Sequence, residues 1–189
     1  MKGKFLLSVF ALILPASLGA QASKTTVTVE ATSPFQRYEV FAGAAYSSAN
    51  QVKGSSALIG ANVGADAKLK RWFGGTADFG YYGASSGVAK PTVTTLMAGP
   101  EFYIPADNLT GFIHVLFGGA HTAGVGAKPD IAFAYGVGGG FNYSFSPKWA
   151  LRVAGDGIVS SFVLDPTNQG YSPHARLNAR ATLGGVYRF

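Results

Sequence analysis

The sequence predicts an all-β protein, an eight-stranded antiparallel up-and-down transmembrane β-barrel. Only 13% of the 189 residues are charged and 48% are hydrophobic, whereas soluble domains carry about 25% charged residues. After the N-terminus no run of about 18 apolar residues occurs, so the sequence offers no membrane-spanning helix. Instead, large apolar residues alternate with small or polar ones at a period of two, which indicates strands.

The N-terminus has the three parts of a secretory signal peptide. Lys2 and Lys4 form the basic region, and residues 5–14 form a short apolar region that is too short to span a bilayer. Ala20 and Ala22 supply the small residues that signal peptidase reads, so we expect cleavage after Ala22. The predicted organisation is a signal peptide at 1–22, a flexible periplasmic lead-in at 23–35 and a β-barrel at 36–189.

The first four strands are predicted from their opposed faces. In each strand, the residues named first lie on one face and those named second on the other: Tyr38, Val40 and Tyr46 opposite Arg37 and Glu39; Ile59 and Val63 opposite Asn62 and Asp66; Phe73, Phe79 and Tyr81 opposite Thr76 and Asp78; and Leu96, Phe102 and Ile104 opposite Glu101 and Tyr103. Pro100 lies inside the fourth strand. Because proline cannot donate to the ladder, we expect a bulge or a local break there.

The last four strands show the same alternation. Their faces are Ile113, Val115 and Phe117 against His114 and Leu116; Phe133, Tyr135, Val137 and Phe141 against Gly136, Gly138, Gly140 and Asn142; Trp149, Leu151 and Val153 against Arg152 and Asp156; and Leu177, Leu183 and Tyr187 against Arg176, Arg180 and Arg188. The eight predicted strands are Arg37–Tyr46, Ala57–Ala67, Trp72–Tyr82, Thr94–Ile104, Gly111–Ala120, Ala132–Tyr143, Trp149–Ser160 and Arg176–Phe189.

The connections between the strands alternate in length. Residues 68–71, 105–110 and 144–148 read as short turns, and residues 47–56, 83–91, 121–130 and 163–173 read as longer polar loops. Short turns at one rim and longer loops at the other are typical of a membrane barrel. An even number of strands places both ends of the barrel on the short-turn, periplasmic side.

Nearly all charges of the strands lie on the face opposite the apolar one. A charge that faces lipid at mid-depth costs about 2–4 kcal/mol, so these side chains are expected to point inward. The lumen of an eight-stranded barrel is just wide enough to be filled by side chains, which predicts a plugged barrel. The predicted polar network of the lumen is Arg37, Glu39, Asp66, Asp78, Glu101, His114, Asn142, Arg152, Asp156, Arg176 and Arg180, with Arg188 on the same face.

Aromatic residues lie near the ends of the predicted strands, as in the two aromatic girdles of membrane barrels. One group lies near the short turns and comprises Trp72, Phe73, Tyr143, Trp149, Tyr187 and Phe189. The other lies near the longer loops and comprises Tyr46, Tyr81, Phe133 and Phe162. The alternative interpretation is an ordinary aromatic core in a β-sandwich.

Two segments carry a family resemblance. The stretch GVGGGFNYSFSPKWALRVAGDGI (136–158) resembles the glycine-rich strand, tight turn and following strand of the small outer-membrane barrels related to the OmpA transmembrane domain, OmpX and the opacity proteins, which carry porin-family annotation. The end GGVYRF is similar to their C-terminal signature, in which Tyr187 and Phe189 would be read by the barrel-assembly machinery. The resemblance implies location in the bacterial outer membrane and contact with periplasmic chaperones during biogenesis.

Other chemistries find little support. The lysines and arginines are scattered, so nucleic acid is not an expected partner. The spacing of His114, His121 and His174 provides no metal site, and the glycines at 136–140 lack the helix that a dinucleotide loop requires. No cofactor is therefore expected.

An enzyme is also not expected. Ser172, His174 and Asp165 are the one cluster close in sequence that could form a triad. They fall in a predicted loop and do not match the motif of the deacylase barrels.

Three functions stay open. The first is a structural barrel for envelope integrity or for surface interactions, which contacts outer-membrane lipid and displays its loops to a surface ligand. The alternative is a narrow porin-like channel for ions or small solutes. A lipid-modifying enzyme of the outer membrane is third.

Overall fold

The computed structural model describes residues 35–49, 56–84, 90–125, 129–161 and 176–189. These residues form a closed barrel in which each strand is antiparallel to the next and the last strand pairs with the first. The strands are β1 (Tyr38–Ala49), β2 (Ser56–Lys70), β3 (Phe73–Ala84), β4 (Lys90–Ala106), β5 (Leu109–Val125), β6 (Asp130–Ser144), β7 (Trp149–Ser160) and β8 (Arg176–Arg188). The predicted eight-stranded antiparallel up-and-down barrel is confirmed.

Several sequence predictions concern segments outside the described residues. These are the signal peptide and most of the lead-in (1–34), the central parts of the four longer loops, and Phe162 of the aromatic group at the loop rim. The described part of the chain contains no helix that is both long enough and apolar enough to cross a membrane.

The strands extend beyond most of their predicted ends. β5 continues from Ala120 to Val125 and pairs with β4 as far as Lys90. The sequence does not show this extension, because its residues, such as His121 and Thr122, are polar or small and lack the apolar alternation from which strands are predicted. Strand pairing itself uses backbone hydrogen bonds and does not require apolar side chains. β7 has the predicted bounds.

Strand pairing is irregular at two places in the barrel. Pairing between β4 and β5 stops at Ala98–Phe117 and resumes in the same register at Glu101–His114, so the expected interruption at Pro100 is a local break. A second irregularity lies between Lys68 and Lys70, where β2 enters its turn. The short turns occupy residues 71–72, 107–108 and 145–148.

The polarity of the barrel is inverted relative to a soluble protein. Outward side chains such as Leu96 and Val137 are 64% and 63% exposed, whereas the inward carboxylates of Asp66 and Glu101 are buried. The outer surface of the described strands is therefore apolar, and the charged groups are enclosed.

The lumen also contains apolar residues, which form a layer towards the rim of the longer loops. Its buried members are Ala45, Leu58, Tyr82, Val93, Met97, Leu116, Ala120, Ala134 and Ile158. A smaller apolar group, formed by Phe41, Ala150 and Val186, lies towards the short turns. The charged groups around Arg152 and Arg180 thus lie between two apolar layers, which is a division of the lumen that the sequence did not indicate.

Exposed aromatic residues surround the short-turn rim. Trp72 contacts the rings of Phe73 and Phe102, with centroids at 5.6 and 6.2 Å. Tyr187 contacts Trp149 at 4.9 Å and Phe189 at 5.1 Å. These contacts form two aromatic clusters at one end of the apolar outer surface.

Candidate functional site: the charged lumen

Arg152 of β7 is the centre of the first ionic cluster. Its Nη2 donates to Asp66 Oδ2 at 2.6 Å, and its Nε donates to Asn142 Oδ1 at 2.9 Å. Asn142 is its cross-strand neighbour on β6, whereas Asp66 reaches it from β2. The guanidinium lies 4.2 and 4.5 Å from the ring centroids of Phe41 and Phe112. Arg152 is therefore bound at its edge by polar groups and packed on its faces by aromatic rings.

Arg180 of β8 is the centre of the second cluster. Its Nε donates to Asp156 Oδ2 at 2.7 Å, and its Nη1 donates to Asp78 Oδ1 at 2.6 Å and to the hydroxyl of Tyr82 at 2.9 Å. Asp156 is its cross-strand partner on β7. The amide of Asn62 donates to Asp78 at 2.8 Å, so both carboxylates of this cluster have partners.

His114 of β5 joins the two clusters. Its Nδ1 lies 3.1 Å from Glu101 Oε2 and its Nε2 lies 2.6 Å from Asp156 Oδ1. The second oxygen of Glu101 lies 3.8 Å from Arg152 Nη2. Carboxylates only accept hydrogen bonds, and a neutral imidazole has a single donor. Both contacts of His114 with ionised carboxylates are therefore hydrogen bonds when the ring carries both protons.

A third cluster surrounds Glu39, near the short turns. Glu39 Oε1 accepts hydrogen bonds from Lys68 Nζ on β2 and from Arg188 Nε on β8, the latter at 2.7 Å. Arg188 Nη1 also donates to Ser144 Oγ at 2.7 Å. Because Glu39 belongs to β1, this cluster ties the first strand to both of its neighbours.

The charges of the three clusters balance when His114 is doubly protonated. The described ion pairs contain the acids Glu39, Asp66, Asp78, Glu101 and Asp156, and the cations Lys68, Arg152, Arg180 and Arg188. Five acids thus face four cations, and the imidazolium supplies the fifth positive charge. His114 is therefore the group that brings this buried set to neutrality.

Two of the residues predicted for the lumen network lie outside it. Arg37 precedes β1 and is exposed, and Arg176 is exposed at the first position of β8. Both follow the inward alternation of their strands. At a strand end, however, the lumen opens to solvent, so an inward position there does not bury a long side chain. The other predicted members are buried inside the barrel.

Several groups that contact the network are not among the predicted residues. The predicted turn at 68–71 includes Lys68, although this residue follows the inward alternation of Asp66 and pairs with Glu39. The prediction also lacks Phe41 and Phe112, although each lies two residues from an inward side chain, Glu39 or His114. Counting in steps of two from each charged residue would have identified all three.

Little free space is left around the network. The space beside Phe112, Arg152 and Asp156 has room for the centre of a water molecule over only about 10 Å³, and the space by the apolar layer has about 20 Å³. About 10–15 Å³ by this measure holds one water molecule. At these two places the described lumen therefore has room for about one water molecule each.

Within the described ranges no three histidine, cysteine or acidic side chains are grouped to hold a metal ion. Ser172, His174 and Asp165 lie outside the described residues.

Replacing His114 with glutamine is expected to lower the free energy of unfolding by about 2 kcal/mol, because an uncharged amide can satisfy one of the two carboxylates but not both. Urea unfolding of the refolded protein in lipid vesicles measures this loss. The matched control is His121→Gln, since His121 is exposed and its replacement should change stability by no more than about 0.5 kcal/mol. Equal losses in the two variants would contradict a bridging role for His114.

Comparisons with known proteins rest on structure. No protein-family profile matches the sequence, and a search of curated protein sequences finds no match. Neisserial surface protein A superposes with a TM-score of 0.66 at 13% identity, covering 80% of this chain and 97% of that one. The N-terminal β-barrel domain of Pseudomonas aeruginosa OprF gives 0.54 at 14% identity, with 82% and 98% covered.

Ail, the attachment invasion locus protein of Yersinia pestis, gives a TM-score of 0.52 at 16% identity, with 82% of this chain and 99% of that chain covered. At such low identity, these matches establish the architecture of the chain and not its activity. The chain has the fold of the small eight-stranded outer-membrane β-barrels.

Proposed function

We propose that this protein is an integral outer-membrane barrel with a plugged polar lumen, and that it contributes to envelope integrity or to surface interactions through its longer loops. The observation that carries the proposal is the inverted polarity, with an apolar outer surface around a buried set of ion pairs. In hydrocarbon, backbone groups must be satisfied within the protein, and a closed barrel achieves this with strands. The same surface would be unfavourable in water, where large apolar patches promote association.

The structural role is supported by how the lumen is filled. Arg152 and Arg180 reach acids on β2 and β3 from β7 and β8, so ion pairs cross the lumen from opposite walls. Met97 and Leu116, in the apolar layer, are each only 1% exposed. An ion would have to separate buried charge pairs and also cross the apolar layer, and breaking a buried pair costs about 3–5 kcal/mol. A stable closed lumen is the simpler consequence of this arrangement.

The biogenesis partners and the loop partner are part of the same proposal. Tyr187 and Phe189 contact one another at the end of β8, where the barrel-assembly machinery would read them. The surface ligand would bind to the longer loops, and the protein would act without a cofactor and without catalysis.

Planar-bilayer recording of the refolded protein tests the plugged lumen. We expect no conductance above the baseline of the empty bilayer, because side chains fill the lumen. Insertion is verified in the same preparation by heat-modifiability on SDS gels, where the folded barrel should migrate differently from the boiled chain. Reproducible conductance steps from heat-modifiable protein would instead support a narrow channel, and unchanged migration would count against the barrel itself.

A further inference from the structure

The short-turn rim carries cations that the ionic clusters of the lumen do not use. Arg37, Lys70, Arg71 and Lys148 are all exposed. None of them forms an ion pair with another residue in the part of the chain that the structure describes. By contrast, Lys68 and Arg188, close to the same rim, are both paired with Glu39. The rim therefore presents four positive side chains that have no ion-pair partner among the described residues.

These cations occupy one continuous arc of the rim. Lys148 lies in the β6–β7 turn, and its carbonyl accepts a hydrogen bond from the backbone of Arg188 on β8 at 2.9 Å. Arg37 precedes β1, and its carbonyl accepts from the backbone of Lys68 on β2 at 2.7 Å. Lys70 and Arg71 lie at the β2–β3 turn. The arc thus runs from β7 through β8 and β1 to β3.

The β4–β5 turn, which lies outside this arc, carries negative charge. The β4–β5 turn carries Asp107, which is exposed, and no lysine or arginine. The distribution of charge around the short-turn rim is therefore one-sided.

The arc lies directly beside exposed aromatic rings. Trp149, Tyr38 and Trp72 are 49%, 61% and 54% exposed and belong to the strands and turns of the same arc. Lys70 Nζ lies 5.7 Å from the ring centroid of Trp72. Tryptophan and tyrosine belts mark the depth of lipid headgroups, so the cations lie where phosphate groups would be.

One end of the arc is concave. A cavity of about 920 Å³ opens at the rim, and its lining includes Tyr143, Phe145, Ser146, Lys148 and Asp107. Tyr143 and Phe145 are exposed aromatic residues next to the ammonium-bearing Lys148. This combination of apolar, hydroxyl and cationic groups suits a lipid headgroup together with the start of its acyl chains.

We infer that this basic arc binds the phosphate headgroups of anionic phospholipids, of the phosphatidylglycerol type, in the membrane leaflet that meets the short turns. The inference rests on the proposed membrane location and adds the class of lipid. A cation close to an anionic lipid surface favours such lipids by about fivefold. The preference should fall with added salt, since exposed charges are screened.

The test uses the refolded protein in vesicles of phosphatidylcholine that contain trace spin-labelled phosphatidylglycerol or spin-labelled phosphatidylcholine. Electron paramagnetic resonance separates lipid that is motionally restricted by the barrel from bulk lipid and yields a relative association constant. We expect the native protein to prefer the labelled phosphatidylglycerol by up to about fivefold. The variant Arg37→Gln/Lys70→Gln/Arg71→Gln/Lys148→Gln, which removes all four cations of the arc, should bring this preference close to one.

Asp107→Asn is the matched variant of opposite sign, because it removes an acid that lines the same cavity as Lys148, and it should raise the preference. Restricted lipid without a preference for phosphatidylglycerol would overturn the inference but leave the membrane location standing. A quadruple variant that keeps the native preference would overturn it equally. The absence of any restricted lipid around heat-modifiable protein would count against the proposed function itself.

Discussion

Replacing Arg152 with methionine is expected to lower the free energy of unfolding by about 3–5 kcal/mol. Methionine can fill the space between Phe41 and Phe112, so the loss would come from charge and not from a cavity. Asp66 would lose its ion-pair partner at 2.6 Å, and Glu101 would lose its nearby guanidinium. Asp66 would then be a buried carboxylate without a cation, and Glu101 would keep only His114 as its partner. Chemical unfolding in neutral lipid vesicles measures the difference.

Arg37→Met is the control variant, because the sequence and the structure predict different effects for it. The alternation in the sequence places both arginines in the lumen, whereas the structure leaves Arg37 exposed at the rim. Its replacement should therefore change stability by no more than about 0.5 kcal/mol. The double variant Arg152→Met/Asp66→Asn should recover part of the loss, because it also removes one unpaired charge. No recovery, or a loss as large for Arg37→Met, would contradict the assigned network.

Replacing Gly99 with alanine is expected to lower the free energy of unfolding by at least about 3 kcal/mol, towards the upper end of overpacking costs. A Cβ on residue 99 would lie 1.9 Å from the carbonyl oxygen of Val115, which is backbone and cannot rotate away. The site lies within the break in β4–β5 pairing beside Pro100. The substitution would therefore force two strands apart where their ladder is already interrupted.

The matched control for this substitution is Gly185→Ala on β8. A Cβ on residue 185 would have no atom within 4 Å, and the added methyl group would face outward from the barrel. Its effect on stability should be small, with unchanged migration on SDS gels before heating. If both alanine variants lost stability equally, the cost would come from a general β-strand effect and not from the close approach to Val115.

The sequence predicts the barrel well because one signal, the period of two, is read along every strand. β7 shows this best. Its outward residues, which begin with Trp149, alternate with the inward Arg152 and Asp156, and its predicted bounds match the structure. β5 shows where the signal fails. Its last residues are small or polar, and the pairing that extends them depends on the partner strand β4.

The ionic clusters were less accessible to sequence reasoning. Alternation gives the face of a side chain but not its height in the lumen or its partner on another strand. Arg37 and Arg176 show the first limit, because an inward position at a rim is open to solvent. The contacts of His114 with Glu101 and Asp156 show the second, since they depend on the registers of several strands at once.

The joint between β1 and β8 has a consequence for assembly. These strands pair from Glu39–Arg188 to Ser47–Arg180, and the side chains of Glu39 and Arg188 that bond across the joint are 149 positions apart in the chain. Until β8 arrives, β1 and β7 both present unpaired backbone, which invites association with other chains. In hydrocarbon, an incomplete sheet would leave backbone groups unsatisfied. For a barrel in the proposed membrane location, closure of β1 on β8 is therefore expected to accompany insertion.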